Sequence, residues 1–317
     1  MAWINFLLIL NTLSAVASGL ANNRAFLVTG GNKGQGYALC ERILQEHDDT
    51  HVFLCSRDPK SGEEACKRLG FPDRVDVIPL DVTEEASIQA AVKQVRERLG
   101  ENGNSKLEGF VSNAGILWGY SLEELLDVCT VGVVNVVDAF LPLMNPDGGK
   151  VIIVSSGLSP LMHTFSTHQD ILMNGSWDEN IALMEKVRSL SGKGPETFEE
   201  SGFSGGPFAE SAPDFHMYGL AKMFADSYMI NLARAHPKLI INSCDPGLVY
   251  TDLIDRMPKY AGKPIEETGA KSPREGVEVH MRLLFGESDE VRTSGSFFAI
   301  NKDGDLKSGP IDKRPDV

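Results

Sequence analysis

A tyrosine and a lysine four residues apart, in Tyr218-Gly219-Leu220-Ala221-Lys222, are the residues of this chain best suited to moving a proton. On a helix, positions i and i+4 share a face, so the phenol and the ammonium lie side by side. A free phenol titrates at about 10 and is a poor acid or base at neutral pH; an adjacent ammonium favours the phenolate and brings it into range. The chemistry such a pair could serve is reduction of a ketone or aldehyde, which needs a hydride for carbon and a proton for oxygen. Tyr218 is then the candidate proton donor. Tyr-x-x-x-Lys also arises by chance on surface helices, so its weight rests on what accompanies it. Ser155-Ser156 ends the β-branched run Val151–Val154, which would deliver a hydroxyl to the carboxyl end of a sheet, where open α/β folds bind ligands.

A second constellation precedes these. Thr29-Gly30-Gly31-Asn32-Lys33-Gly34-Gln35-Gly36 follows an apolar run and opens a helical pattern. A pyrophosphate needs backbone to approach closely and unpaired helix N–H groups to hold it, so the turn must lack bulky side chains. Gly30, Gly34 and Gly36 meet that need. A glycine triplet alone is a weak signal; its position between strand and helix strengthens it.

The elements that must position these residues alternate along the chain. Strand-like runs at Ala25–Val28, Val52–Cys55, Val75–Leu80, Gly109–Ser112, Val151–Val154, Leu239–Ser243 and Ser296–Ile300 are separated by helical patterns. Those patterns cover Gly36 to about Gln45, Glu63–Leu69, a stretch capped by Thr83 and ended by Gly100, and Leu122–Met144. Continuous apolar strands between helices mean a parallel sheet covered on both faces. The fold class is a doubly wound α/β sheet of the Rossmann type, in one domain over residues 22–317. The stretch from about 157 to 215 breaks the alternation. It is rich in Ser, Gly, Pro and acids with one helix-like piece at Asp178–Ser189, and reads as an insert or flexible lid.

TGxxxGxG, as it stands in Thr29–Gly36, resembles the short-chain dehydrogenase/reductase superfamily, and TGGNKGQGYAL resembles its carbonyl reductase group. The resemblance runs from about Ala25 to Ile300, the insert matching only in position. It implies NADP(H) as cofactor and a Ser156–Tyr218–Lys222 catalytic set. Ser156 polarises the carbonyl, and Lys222 tunes Tyr218 and bonds the nicotinamide ribose. Asn32, Lys33 and Gln35 lie within the matched turn. Asp81-Val82 matches the pair that contacts the adenine. Ser112-Asn113-Ala114-Gly115 matches NNAG with Ser first, and Pro246-Gly247-Leu248-Val249-Tyr250-Thr251 matches the PG loop, whose Val249 and Thr251 positions lie at the nicotinamide. At the tip of the second strand stand Ser56-Arg57 and no acid. Arg57, with Lys33 adding a second charge, favours a 2′-phosphate and hence NADPH over NADH. One position departs from the pattern. The family's helix Asn is Cys129 here, a weak hydrogen-bonding replacement, and Asn135 is out of register. The 62 positions between Ser156 and Tyr218 (218 − 156) leave room for the insertion that makes carbonyl reductases monomers.

The expected activity is thus hydride transfer from NADPH to a small ketone, aldehyde or quinone. The alternatives are an NADP(H)-binding protein with little catalysis and an alcohol or lipid dehydrogenase working in the oxidising direction. A net charge of −14 argues against a nucleic-acid partner. The five cysteines form no CxxC pair and read as packed thiols. Gly202-Phe203-Ser204-Gly205-Gly206 matches GxSxG only in a loop, and reads as a flexible linker. His163 and His168 lack further ligands for a metal site and read as exposed loop histidines. Residues 1–21 are apolar with an Ala15-Val16-Ala17 pattern and read as a cleaved signal peptide, which would place the chain in the secretory pathway and make Asn174-Gly175-Ser176 a glycosylation sequon. A retained membrane anchor, or a cytoplasmic chain, is the alternative.

Overall fold

In the computed structural model, residues 20, 23–100 and 106–312 are described. The signal-peptide expectation falls on residues outside this range, Leu20 excepted. The strands are β1 (Arg24–Val28), β2 (Thr50–Ser56), β3 (Val75–Pro79), β4 (Leu107–Ser112), β5 (Lys150–Val154), β6 (Ile240–Asp245), β7 (Phe297–Ile300) and β8 (Leu306–Gly309). They form one sheet in the order β3-β2-β1-β4-β5-β6-β7-β8. Every pairing is parallel except β7 with β8. All seven expected strands are present. β8 was not legible: its four residues carry one apolar side chain, and it pairs antiparallel as the sheet's last strand.

The order reverses between β1 and β4, where Val28 pairs with both Leu54 of β2 and Val111 of β4. Chains leaving β1 and β4 go to opposite faces there and leave room for a ligand at the carboxyl ends. The strands carry apolar residues on both faces because both faces are covered. Phe53, Phe110, Ile153 and Ile241 join one buried cluster, and Phe26, Val52, Ile152 and Phe298 join the other.

Helix α1 (Gly34–Glu46) follows β1, α2 (Pro59–Leu69) follows β2, and α3 (Glu85–Leu99) follows β3. α2 starts four residues before the expected Glu63, because Asp58 caps it, accepting from Lys60 N and Ser61 N, with Pro59 at its first position. Thr83 does not cap α3. Its hydroxyl donates to Asp81 Oδ1 at 2.7 Å, and the helix opens two residues later. The expected helical stretch Leu122–Met144 is present as one helix to Leu143, with a π-turn inside it. α4 (Leu122–Leu126) passes into a π-turn, Asp127–Val131, before α5 (Gly132–Phe140) and a 3₁₀ end at Leu141–Leu143.

The insert differs most from its sequence reading. It contains α6 (Leu158–Phe165), α7 (Gln169–Asn174), α8 (Trp177–Arg188), α9 (Pro195–Glu200) and α10 (Phe208–Ser211). These helices build a third core with α4 and with α11 (Pro213–Ala235), into which Leu172, Val187, Phe198 and Phe203 are buried. Phe203 is fully buried, bridging to Ser166, so the GxSxG stretch is anchored rather than a flexible linker. His163 is also fully buried, inside α6, and burial pushes its imidazole down to about 3; His168 Nε2 meets Ser201 O at 3.0 Å. Neither is an exposed loop histidine. All five cysteines are free.

Candidate active site

The glycine turn is shaped by close contacts. Gly34 has a left-handed φ of +55°, and Gly36 packs so tightly that a Cβ there would stand 2.2 Å from Gly30 O and 2.6 Å from Asn113 Nδ2. The turn is tied to β4. Thr29 Oγ1 accepts from Asn113 N and Ala114 N, both at 2.9 Å, while Asn113 Nδ2 donates to Thr29 O at 2.8 Å and, longer, to Gly30 O. Asn113 therefore shapes the turn, its side chain committed to backbone.

Behind the turn, α1 begins with Lys33 at its N-cap, no side-chain cap and no acid in its first turn. Its first N–H groups keep the partial positive charge that attracts an anion. Gln35 Oε1 is buried without a hydrogen-bond partner among the described residues. A side-chain-free cradle, an uncapped helix start and an orphaned polar atom suit the pyrophosphate of a dinucleotide.

Around this cradle, Arg57 is exposed at the tip of β2, and the neighbouring Asp58 carboxylate is occupied in capping α2. Asp81 Oδ1 accepts from Thr83 N and Oγ1, while Val82 packs on Gly132 of α5. In the loop after β6, Gly247 N donates to Asp245 Oδ1 at 2.9 Å, and Pro246 O accepts from Lys271. Val249 is buried and bridged to Lys271, so its side chain anchors the loop. Thr251 Cγ2 lies against Gly34.

Lys33 does not point where its charge suggested. Its Nζ reaches across to Asp252 Oδ2 at 2.6 Å, at the start of α12 (Asp252–Asp255), rather than standing beside Arg57. Both partners are well exposed, so the nearest opposite charge decides the rotamer.

The proton-transfer residues lie on α11 and β5. Lys222 is buried, and its Nζ donates to Val154 O at 2.7 Å, one residue before Ser155-Ser156. Ser156 Oγ accepts from Leu158 N. Gly219, beside Tyr218, lets α11 meet α6 closely: its Cβ position is 3.3 Å from Leu158 Cβ and 2.7 Å from Met162 Cγ. Tyr218 thus stands next to the segment that leaves Ser156.

Lys222 keeps to the same side of α11 as Tyr218. The ammonium is 5.6 Å from the Tyr218 ring centroid and bonded to Val154. Burial pushes the phenol well above its ordinary value, with Cys129, Asp245 and Asp226 adding to the rise. The phenol is therefore held in its protonated form.

The segment after β4 connects the two constellations. Asn113 bonds the glycine turn, a Cβ on Gly115 would lie 3.7 Å from Cys129 Sγ and 3.8 Å from Lys222 Nζ, and Gly119 N donates to Asp214 on α11.

The sequence profile described as short chain dehydrogenase matches residues 24–166. Short-chain dehydrogenase/reductase 1 of Saponaria officinalis is 29% identical over 82% of this chain and 92% of its own length. NADPH carbonyl reductase 1 of Sus scrofa is 28% identical over 89% and 94%. Profile and relatives alike liken the chain to the short-chain dehydrogenase/reductase superfamily. Its fold matches solved members. Salutaridine reductase from Papaver somniferum superposes with a TM-score of 0.70 at 23% identity, covering 87% of this chain and 99% of that one. An NADPH-bound carbonyl reductase from chicken fatty liver gives 0.60 at 22%, covering 90% and 98%.

In this chain, Cys129 sits at the centre of the π-turn, fully buried, its thiol donating to Ile116 O at 3.4 Å. Next to it, Thr130 Oγ1 donates to Ala221 O at 2.7 Å and ties the π-turn to α11 one residue before Lys222. Two residues escaped the sequence reading. Arg68, on α2, donates to Asn32 O at 3.1 Å and lies 4.5 Å over the Tyr37 ring, a second guanidinium bordering the glycine turn. Asp226, on α11, is fully buried and pushed up to about 6 by that burial, against the hydroxyls of Ser155, Ser159 and Ser243 and the charge of Lys222. Asp226 had a sequence signal: it is the one acid in the run Leu220–Leu232, one turn past Lys222. Arg68 had none.

Proposed function

We propose that this enzyme reduces the carbonyl group of a small, largely apolar ketone, aldehyde or quinone with NADPH. The observation that carries the proposal is the 113–119 segment, which touches both the phosphate-suited glycine turn and the Tyr218–Lys222 helix. One short stretch of backbone thereby joins a dinucleotide cradle to a proton donor.

In this reading Gly30, Asn32, Lys33, Gly34, Gln35 and Gly36 with the start of α1 hold the pyrophosphate. Arg57 receives the 2′-phosphate, Asp81 and Val82 border the adenine, and Pro246, Gly247, Val249 and Thr251 border the nicotinamide. The bound dihydronicotinamide supplies a hydride for the carbonyl carbon. Ser156 Oγ donates to the carbonyl oxygen and draws electron density from the carbon. Tyr218 Oη delivers its proton to that oxygen as negative charge develops there. Lys222 fixes the end of β5 through Val154, and its ammonium faces the phenolate that Tyr218 leaves behind. With its phenol raised, Tyr218 begins the reduction protonated, whereas oxidation must begin from the phenolate.

The carbonyl reductases among its relatives support the cofactor and the reaction class. We also propose a monomer. Every residue of α11 from Gly219 to Ile230 is buried, between the sheet on one side and the insert on the other, so little of that helix remains for a second subunit. Turnover of NADPH with a panel of ketones, aldehydes and quinones, compared with Tyr218→Phe, tests the function. Cofactor binding without turnover in the wild type would support the cofactor-binding alternative instead.

A further inference from the structure

We propose that Asp226 is a positioning residue for Ser156, holding the β5–α6 junction at both sides of that hydroxyl. The proposal rests on the reading of Ser156 given above. Asp226 is fully buried, and a single oxygen, Oδ2, accepts from Ser155 Oγ at 2.7 Å and from Ser159 Oγ at 2.5 Å. Those two serines are the residue before Ser156 and the third residue after it. One carboxyl therefore clamps both ends of the five-residue span that contains Ser156.

The clamp works together with Lys222. On successive turns of α11, Lys222 donates to Val154 O and Asp226 accepts from Ser155 Oγ, so the helix grips two consecutive residues at the end of β5. The main chain there is held from the other side too, since Ser155 N donates to Cys244 O at 2.8 Å and Ser159 N to Ser156 O at 2.9 Å. These backbone bonds hold the strand end and close the turn after Ser156. The hydroxyl pair on Asp226 adds a side-chain hold at each end of that turn, and so on the direction of Ser156 Oγ. Burying an acid costs free energy, so a carboxyl placed here asks for a structural return. An acceptor able to take two hydroxyls on one oxygen supplies it. Ser243 acts on the carboxyl from its other side, where Asp226 Oδ1 and Ser243 Oγ form no hydrogen bond among the described residues, so the bonds that Asp226 makes are those to Ser155 and Ser159.

The main consequence falls on Ser156, the charge of Asp226 being a lesser influence on the Tyr218 phenol. Misplacing a group by about 1 Å costs roughly 100-fold in rate. Asp226→Ala should lower kcat by about 10- to 100-fold with the NADPH dissociation constant within about threefold of wild type. In a Ser156→Ala background the same substitution should cost less than about threefold further, because effects that pass through one residue do not add. Asp226→Asn should restore most of the activity, since an amide oxygen can accept both hydroxyls without charge. The pair Ser155→Ala and Ser159→Ala should reproduce the loss of Asp226→Ala, and it provides the test if Asp226→Ala does not fold.

Full additivity of Asp226→Ala with Ser156→Ala would overturn the inference, as would Asp226→Asn being as impaired as Asp226→Ala, or the double serine variant turning over at the wild-type rate. Wild-type turnover in Ser156→Ala alone would overturn the functional reading together with it, and so separates the two failures.

Discussion

Gly36→Ala is the most demanding test of the cofactor cradle. The added Cβ would stand 2.2 Å from Gly30 O, 2.6 Å from Asn113 Nδ2 and 2.8 Å from Gly30 C. Ordinary carbon–oxygen contacts lie at about 3.3 Å, so the turn must move by roughly 1 Å. The atoms in the way are backbone and a committed amide, and neither can swing aside. Retreat of Asn113 breaks its bonds to Thr29 O and Gly30 O, each worth about 1 kcal/mol. Overpacking adds about 1–3 kcal/mol. The sum, about 3–5 kcal/mol, corresponds to a roughly 100- to 4000-fold weaker complex if it falls on binding. Where the fold absorbs part of it, Tm falls instead. NADPH titration by fluorescence and thermal unfolding should be measured on the same preparation. A dissociation constant within threefold of wild type together with an unchanged Tm would refute the close-approach argument.

Other consequences follow from the same site. Arg57→Ala should weaken NADPH by about 10-fold or more, the scale of a charge-assisted phosphate contact, and leave NADH nearly unchanged; equal losses for both would remove Arg57 from the 2′-phosphate. Asp252→Ala frees Lys33 from an exposed ion pair worth about 0–1 kcal/mol, so Tm should hold while NADPH binds up to about fivefold tighter; weaker binding would assign the pair itself to the site. The phenol of Tyr218 is raised well above about 10, so its protonated, donating form persists as pH rises and is lost only through that high value. Carbonyl reduction at saturating NADPH should therefore show no falling limb below about pH 9, whereas alcohol oxidation, which needs the phenolate, should climb through that range. A falling limb near neutrality would contradict the assigned donor.

Much of the fold was legible because each buried strand is a short apolar run between helical patterns, and Phe26, Phe53, Phe110 and Ile153 all face covered layers. The glycine turn was legible for a related reason: only residues without side chains fit where Gly36 meets Gly30. What was missed depends on partners remote in sequence. The insert looked like a loop because its helices are short and separated by Ser, Gly and Pro. Phe198 and Phe203 become anchors only when α11 packs against them. The π-turn at Cys129 leaves no local sign; it is held by Thr130 on Ala221, 91 residues away. Lys33 declared its charge but not its direction, which Asp252 sets from 219 positions along the chain. The Tyr218–Lys222 spacing placed the pair on one helix face. It could not reveal that Val154 takes the ammonium and that burial governs the phenol.

The central claim is that Tyr218 donates the proton in an NADPH-dependent reduction. Following NADPH consumption by wild type and Tyr218→Phe with one reactive ketone, at equal cofactor occupancy, tests it most directly. The account predicts turnover in the wild type, its near-complete loss in Tyr218→Phe, and NADPH binding preserved in both; turnover by Tyr218→Phe at the wild-type rate would contradict it.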